Sequence, residues 1–172
     1  MILIQYIEDM ARQITIGELM TIDSGRIEKA SGCVVSLERT YHELKKATIL
    51  DRFKAFFRST GLVNAYYVIF KLSVVSASGH KYTVIVKVNP DFDLVHWQSN
   101  PCKIYCNCPD FKFRCAYTLG QRGGLFVNER IRIELGQAMT DKPKRQPSYL
   151  CKHSYAALEW LIDNYSNIMK TI

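Results

Sequence analysis

The side chains best suited to chemistry in this 172-residue sequence fall in two short clusters. The first is Cys106-Asn107-Cys108-Pro109-Asp110-Phe111, and the second is Cys151-Lys152-His153. Written as a pattern they are C-x-C, a spacer over residues 109–150, and C-x-H. Three thiolates and one imidazole make a complete tetrahedral zinc set, and a shell closed by four protein ligands is structural, because a catalytic site keeps one position for water. Residues two apart on a strand share a face, so Cys106 and Cys108 could grip one ion together. The competing reading makes them small buried thiols of a strand. Cys102 and Cys115 flank the first cluster and are alternative ligands, although Cys-x-His supplies the better-spaced second pair. The expected site is therefore Cys106, Cys108, Cys151 and His153 around one structural Zn2+.

Several elements must position these groups. Leu62 to Ser76 is rich in β-branched and aromatic residues, and Lys81 to Asn89 alternates apolar with polar, with the turn signal Ser76-Ala-Ser-Gly-His80 between them. Together they predict an antiparallel hairpin. Leu94–Trp97 and Lys103–Cys106 read as further strands, giving a sheet of three to four strands that ends at the first ligand pair. Asp110 is the expected N-cap of a helix to Leu119, and Leu150–Ile172 carries the period of a closing helix through Tyr155, Leu158, Leu161, Tyr165 and Ile168. Toward the N-terminus, Met1–Gln13 reads as a short amphipathic helix and Thr15–Cys33 as loops. Ser36–Ser59 reads as a helix, with Thr40 and Glu43 as its capping box and Leu37, Tyr41 and Leu44 on its apolar stripe. The expected fold is α+β. An N-terminal helical region (1–61) precedes a region (62–172) holding the antiparallel sheet and a zinc-stapled, ββα-like lobe that ends in a helix. Residues 120–149 are too long for a bare connection and predict a partly structured insertion with an exposed basic tip.

Charge is uneven along the chain. The net charge is +7, and the stretch from Lys103 to Lys152 holds ten Lys/Arg against four Asp/Glu. Such asymmetry favours an anionic partner, either nucleic acid or an acidic protein face. Arg114, Arg122, Arg130, Arg132, Lys142, Lys144 and Arg145 are the candidate contacts. No apolar run approaches the ~20 residues of a membrane span, so no membrane partner is expected. The start of the chain lacks the basic, then long apolar, pattern of a signal peptide, and the cysteines read as reduced thiols of a cytosolic setting. Neither a Walker-type loop nor a dinucleotide glycine pattern is present. With a closed ligand shell, these absences argue against an enzyme.

The pattern C-x-C…C-x-H resembles the SWIM-type zinc finger. Cys106 to Arg114, Tyr117, and Leu150 to Leu158 look most like the SWIM-containing proteins of tailed bacteriophages, which also carry a basic insertion between the ligand pairs. The resemblance covers residues 62–172. It implies a non-enzymatic, structural protein of the virion, in the neck, tail or capsid, made in the host cytoplasm and packed against other virion proteins or copies of itself. Cellular SWIM modules imply the alternative, a nucleic-acid-binding finger that sets the basic 103–152 region on phosphates.

Overall fold

The computed structural model describes residues 14–44, 66–88, 97–144 and 146–171. Helix α1 (Ile16–Ile22) and the single turn α2 (Ile27–Ala30) come first. Strands β1 (Val34–Leu44), β2 (Tyr66–Val75), β3 (Lys81–Val88) and β4 (Cys102–Cys106) follow. After a π-helical stretch at Phe111–Cys115 come α3 (Ala116–Gln121), α4 (Glu129–Leu135) and the long closing helix α5 (Lys152–Met169). The class is α+β. The four strands pair antiparallel in chain order, β1-β2-β3-β4.

The hairpin expected around residues 76–80 is present. Ser76 N–H donates to the His80 carbonyl at 2.9 Å, and Gly79 takes φ 81°, a conformation that a side chain would oppose. Alternation along the strands sends Val68, Phe70, Leu72, Val74, Val84, Val86 and Ile104 to one face, where all are fully buried. Helix α5 covers that face. Its Tyr165 meets Phe70 edge-on at 5.9 Å between ring centroids, and Leu158 and Leu161 are buried beside it. Each such side chain contributes about 1.5–3 kcal/mol by leaving water. The same core takes in Ile14, Ile16, Leu19 and Ala30 from the N-terminal part of the chain.

Two expectations change here. Where described, the proposed Ser36–Ser59 helix is strand β1, and its remainder, residues 45–59, lies outside the described residues. A β-bulge is the reason: the register shifts between Leu37 and Arg39, leaving Glu38 as the extra residue. Half-buried positions therefore fall at Val35, Leu37 and Thr40, whereas Tyr41 of the expected stripe pairs with Ile69 and is exposed. Glu38 is spent on ion pairs with Lys71 at 2.8 Å and Lys81 at 3.1 Å, and Thr40 and Glu43 are strand residues rather than a capping box. The second change is that the expected loops of Thr15–Cys33 contain α1 and α2. Thr15 and Glu18 form a reciprocal capping box, so the helix-start signal was present but masked by Gly17 and Gly25. The expected Met1–Gln13 helix lies outside the described residues, as do residues 94–96 of the expected Leu94–Trp97 strand. Trp97 itself opens a 3-10 turn, Trp97–Ser99.

The insertion is ordered at both ends. Its first residues run along β4, with Ile104 N–H donating to Gly124 at 2.8 Å and Phe126 N–H donating to Ile104 at 3.0 Å, which closes the sheet edge. Asn128 caps α4 by accepting from Ile131 N–H at 2.9 Å. Gly124 is squeezed in this crossing: a Cβ there would stand 2.4 Å from Ile14 Cγ2 and 3.0 Å from Leu119 Cδ2. Gly124→Ala is expected to cost about 1–3 kcal/mol by overpacking. It should appear as a lower urea midpoint at unchanged slope, and an unaltered midpoint would contradict the tight crossing.

Candidate metal centre

The four expected ligands converge. One donor atom from each of Cys106, Cys108, Cys151 and His153 lies within 4.8 Å of every other, and all four residues are buried. A zinc tetrahedron with bonds of ~2.3 Å to sulfur has edges of about 3.8 Å, so a contraction of at most about an ångström would close the shell.

Each half of the set is placed by a distinct local device. Cys106 is the last residue of β4, paired with Val84 on the core face. Asn107 then finishes the ladder twice over: its N–H donates to the Thr83 carbonyl at 3.1 Å and its Oδ1 accepts from Thr83 N–H at 2.8 Å. Cys108 follows as the chain turns into a helix whose first residue is Pro109, the position where a missing N–H does least harm. The Cys108 sulfur accepts from Phe111 N–H at 3.3 Å. The N-cap role is thus filled by Cys108 and not by the expected Asp110, which sits in helical conformation and pairs its carboxylate with Arg114 at 3.2 Å.

The second pair repeats the arrangement. Cys151 is the N-cap of α5, and its sulfur accepts from Ser154 N–H at 3.4 Å. The Ser154 hydroxyl in turn accepts from Cys151 N–H at 3.0 Å. Two of the three sulfurs therefore sit at helix N-termini, where unpaired N–H groups and the helix dipole favour a thiolate. His153 is held by stacking on Tyr82, with ring centroids 4.2 Å apart. Its Nδ1 is 4.0 Å from the Cys151 sulfur. Among the described residues, its Nε2 is the one buried side-chain nitrogen or oxygen without a hydrogen-bond partner.

The three thiols differ in acidity. Burial pushes the Cys106 thiol well above its ordinary value, and its hydrogen bonds to Cys108 and Cys151 add to that. For Cys108 the hydrogen bond with Cys106 pulls down, but that with Cys151 and burial prevail, at about 12. Burial also opposes ionisation of Cys151. Hydrogen bonds from Cys106, Cys108, His153 and Ser154 outweigh it and hold this thiol well below its usual range. Of the three thiols, Cys151 is thus the one whose neighbours favour ionisation, and a divalent ion would displace thiol protons on binding. Orphaned Nε2, soft donor set and burial all fit one metal ion.

The remaining cysteines lie outside the set. Cys102 is at the opposite end of β4, a buried thiol raised to about 12 by desolvation. Cys115 is fully buried in the π-helical stretch, and burial raises it well above its ordinary value with the nearby Cys151 adding to that.

The basic candidates do not gather at one place. Arg114 is tied to Asp110 and to the Gln146 carbonyl, and Arg122 pairs with Glu18 at 3.3 Å. Arg130 borders a groove of about 560 Å3 on the sheet face away from α5, beside Tyr41, Ile85 and Tyr105. Arg132 is exposed on α4, and Lys142 and Lys144 line a different groove, shared with Phe113 and Ile133. Arg145 lies outside the described residues. Among the described residues, no helix is long and apolar enough to cross a membrane.

Sequence reasoning missed Ser154, Tyr82 and Asn107. Only Ser154 left a sequence trace, a hydroxyl three residues after an N-cap. Ser154→Ala leaves the buried Cys151 N–H unpaired and is expected to cost about 1–3 kcal/mol in urea unfolding. An unchanged midpoint would show that this cap contributes nothing to the site. No protein-family model matches this chain, and no curated protein and no solved structure matches it either.

Proposed function

We propose that Cys106, Cys108, Cys151 and His153 bind one Zn2+ whose task is structural, and that the protein works without catalysis, as an interaction module. The observation carrying this reading is the convergence of four buried soft donors from two distant segments. Four protein ligands fill a tetrahedral shell and leave no position for a substrate or a water to be activated. The ion would join the end of β4 to the start of α5, the two elements that the long insertion separates.

The partner we propose is protein. Phe113 and Ile133 are 63% and 78% exposed and border one groove together with Lys142 and Lys144, an apolar surface with a basic rim. A setting in the particle of a tailed bacteriophage, against other virion proteins or further copies of this chain, is supported by the resemblance of Cys106–Arg114 and Leu150–Leu158 to SWIM-containing phage proteins. The nucleic-acid alternative draws on the exposed Arg130, Arg132, Lys142 and Lys144, while Arg114 and Arg122 are engaged within the molecule.

Two experiments test these claims. Purified protein is expected to carry one equivalent of zinc. Its removal by a strong chelator, or Cys106→Ala, should expose α5 and the insertion to protease while the β2–β3 hairpin resists. Identical protease patterns with and without metal would refute a structural role. In a salt titration, DNA affinity is expected to be weak and to fall only modestly between about 50 and 200 mM salt. A loss of ~10³-fold or more, as six or more phosphate contacts would give, would establish the nucleic-acid reading instead.

A further inference from the structure

We infer that Asp23, at the end of α1, is a positioning residue of the metal centre, holding the backbone that presents Cys151 and His153. This rests on the metal reading above. Asp23 Oδ2 accepts from Tyr149 N–H at 2.7 Å and from Leu150 N–H at 2.6 Å. Its Oδ1 accepts from the Ser148 hydroxyl at 2.7 Å. These donors belong to the three consecutive residues immediately before Cys151. The next N–H, that of Cys151, goes to Ser154. Every backbone donor from 149 to 151 is thus committed, and the peptide planes leading into the second ligand pair have fixed orientations.

The need for such a clamp follows from the chain path. Cys106 is held by the β4 ladder, and Cys108 by the turn that Asn107 closes. On its C-terminal side the second pair is held by α5. On its N-terminal side it follows the long insertion, where Asp23 supplies the anchor. The anchor is itself rigid. The Thr15–Glu18 capping box starts α1, Ile16 N–H donates to the Asn100 carbonyl at 3.0 Å, Ile16 and Leu19 are fully buried, and Asp23 N–H closes the helix on the Leu19 carbonyl at 3.3 Å. One carboxylate oxygen gathers both backbone N–H groups and the other meets the Ser148 hydroxyl, which also lies 2.9 Å from the Leu150 carbonyl. An alanine would remove all of these acceptors, whereas an asparagine could keep the two backbone bonds on its oxygen and donate to the Ser148 hydroxyl. Groups that orient metal-bearing segments from outside the ligand shell typically alter affinity by ~10–100-fold when changed.

The test uses the full chain. Zn2+ affinity is measured by competition with a chromophoric chelator, and Co2+ is titrated while the thiolate-to-cobalt band is followed. Asp23→Ala is expected to weaken Zn2+ binding by ~10–100-fold and to shift the Co2+ midpoint equally, while the band at saturation keeps its shape because the ligands are unchanged. Asp23→Asn should restore most of the affinity, and Ser148→Ala, which removes the hydroxyl's contacts with Asp23 and with the Leu150 carbonyl, should give a smaller shift than Asp23→Ala in the same direction. Glu28→Gln, on the exposed surface of α2 (Ile27–Ala30), should give none. Unmoved affinities in Asp23→Ala and Ser148→Ala, with wild-type protein binding one equivalent, would overturn the inference and leave the metal reading standing. Wild-type protein that takes up no Zn2+ at these four residues would remove the metal reading itself. Should Asp23→Ala fail to fold, Ser148→Ala decides alone, and an unmoved midpoint there overturns the inference.

Discussion

A buried thiolate needs countercharge, and this molecule gathers three thiols and an imidazole in a place closed to water. Much of the surrounding structure can be understood as a response to that constraint. Two of the sulfurs sit at helix N-termini, where backbone N–H groups point at them. The third ends a strand on the buried face of the sheet. Neutral surroundings alone would leave the thiols protonated, as burial does to Cys102 at the other end of the same strand. What distinguishes the cluster from Cys102 is the mutual support of its members around the Cys151 sulfur.

The architecture places the cluster where separate parts of the chain meet. The meander from β1 to β4 (Val34–Leu44 to Cys102–Cys106) delivers the first pair at the end of its last strand. Helix α5 (Lys152–Met169) lies over the apolar sheet face and delivers the second at its first turn. Helix α1 (Ile16–Ile22) shares the core with both and reaches the same corner through Asp23. The insertion begins at the end of α3 (Ala116–Gln121), seals the β4 edge at Gly124–Phe126, forms α4 (Glu129–Leu135) and returns at Ser148, whose N–H donates to the Arg114 carbonyl. Its exposed residues are therefore carried by a frame pinned at both ends.

How much of this was legible depended on how local the controlling interaction is. The β2–β3 hairpin was plain because alternation and a Gly-containing turn act within a few residues. The closing helix was plain because its buried residues recur at helical steps over many turns. Strand β1 was misread because a single bulged residue, Glu38, breaks the period-two alternation by which a strand is recognised. The capping role of Cys108 was hidden because Asp110 is the commoner residue for that task, whereas here its carboxylate serves Arg114. Helix α1 carried its start signal, Thr15 with Glu18, but Gly17 within its first turn lowered its helical propensity and Gly25 fell in the turn just after it.

The amino-acid sequence alone determined the candidate donor set, the α+β class, the strand that ends at Cys106 and the helix that carries the second pair, because residue type and short-range periodicity specify those directly. Tertiary structure decided that the two pairs face one another, that Tyr82 stacks on His153, and that a carboxylate more than a hundred residues upstream grips the entry to the second pair. It also decided which basic side chains are engaged inside the molecule and which remain at the surface. These are contacts between segments far apart in the chain. Local propensity does not encode them, and they exist only once the sheet and α5 have packed around a common core.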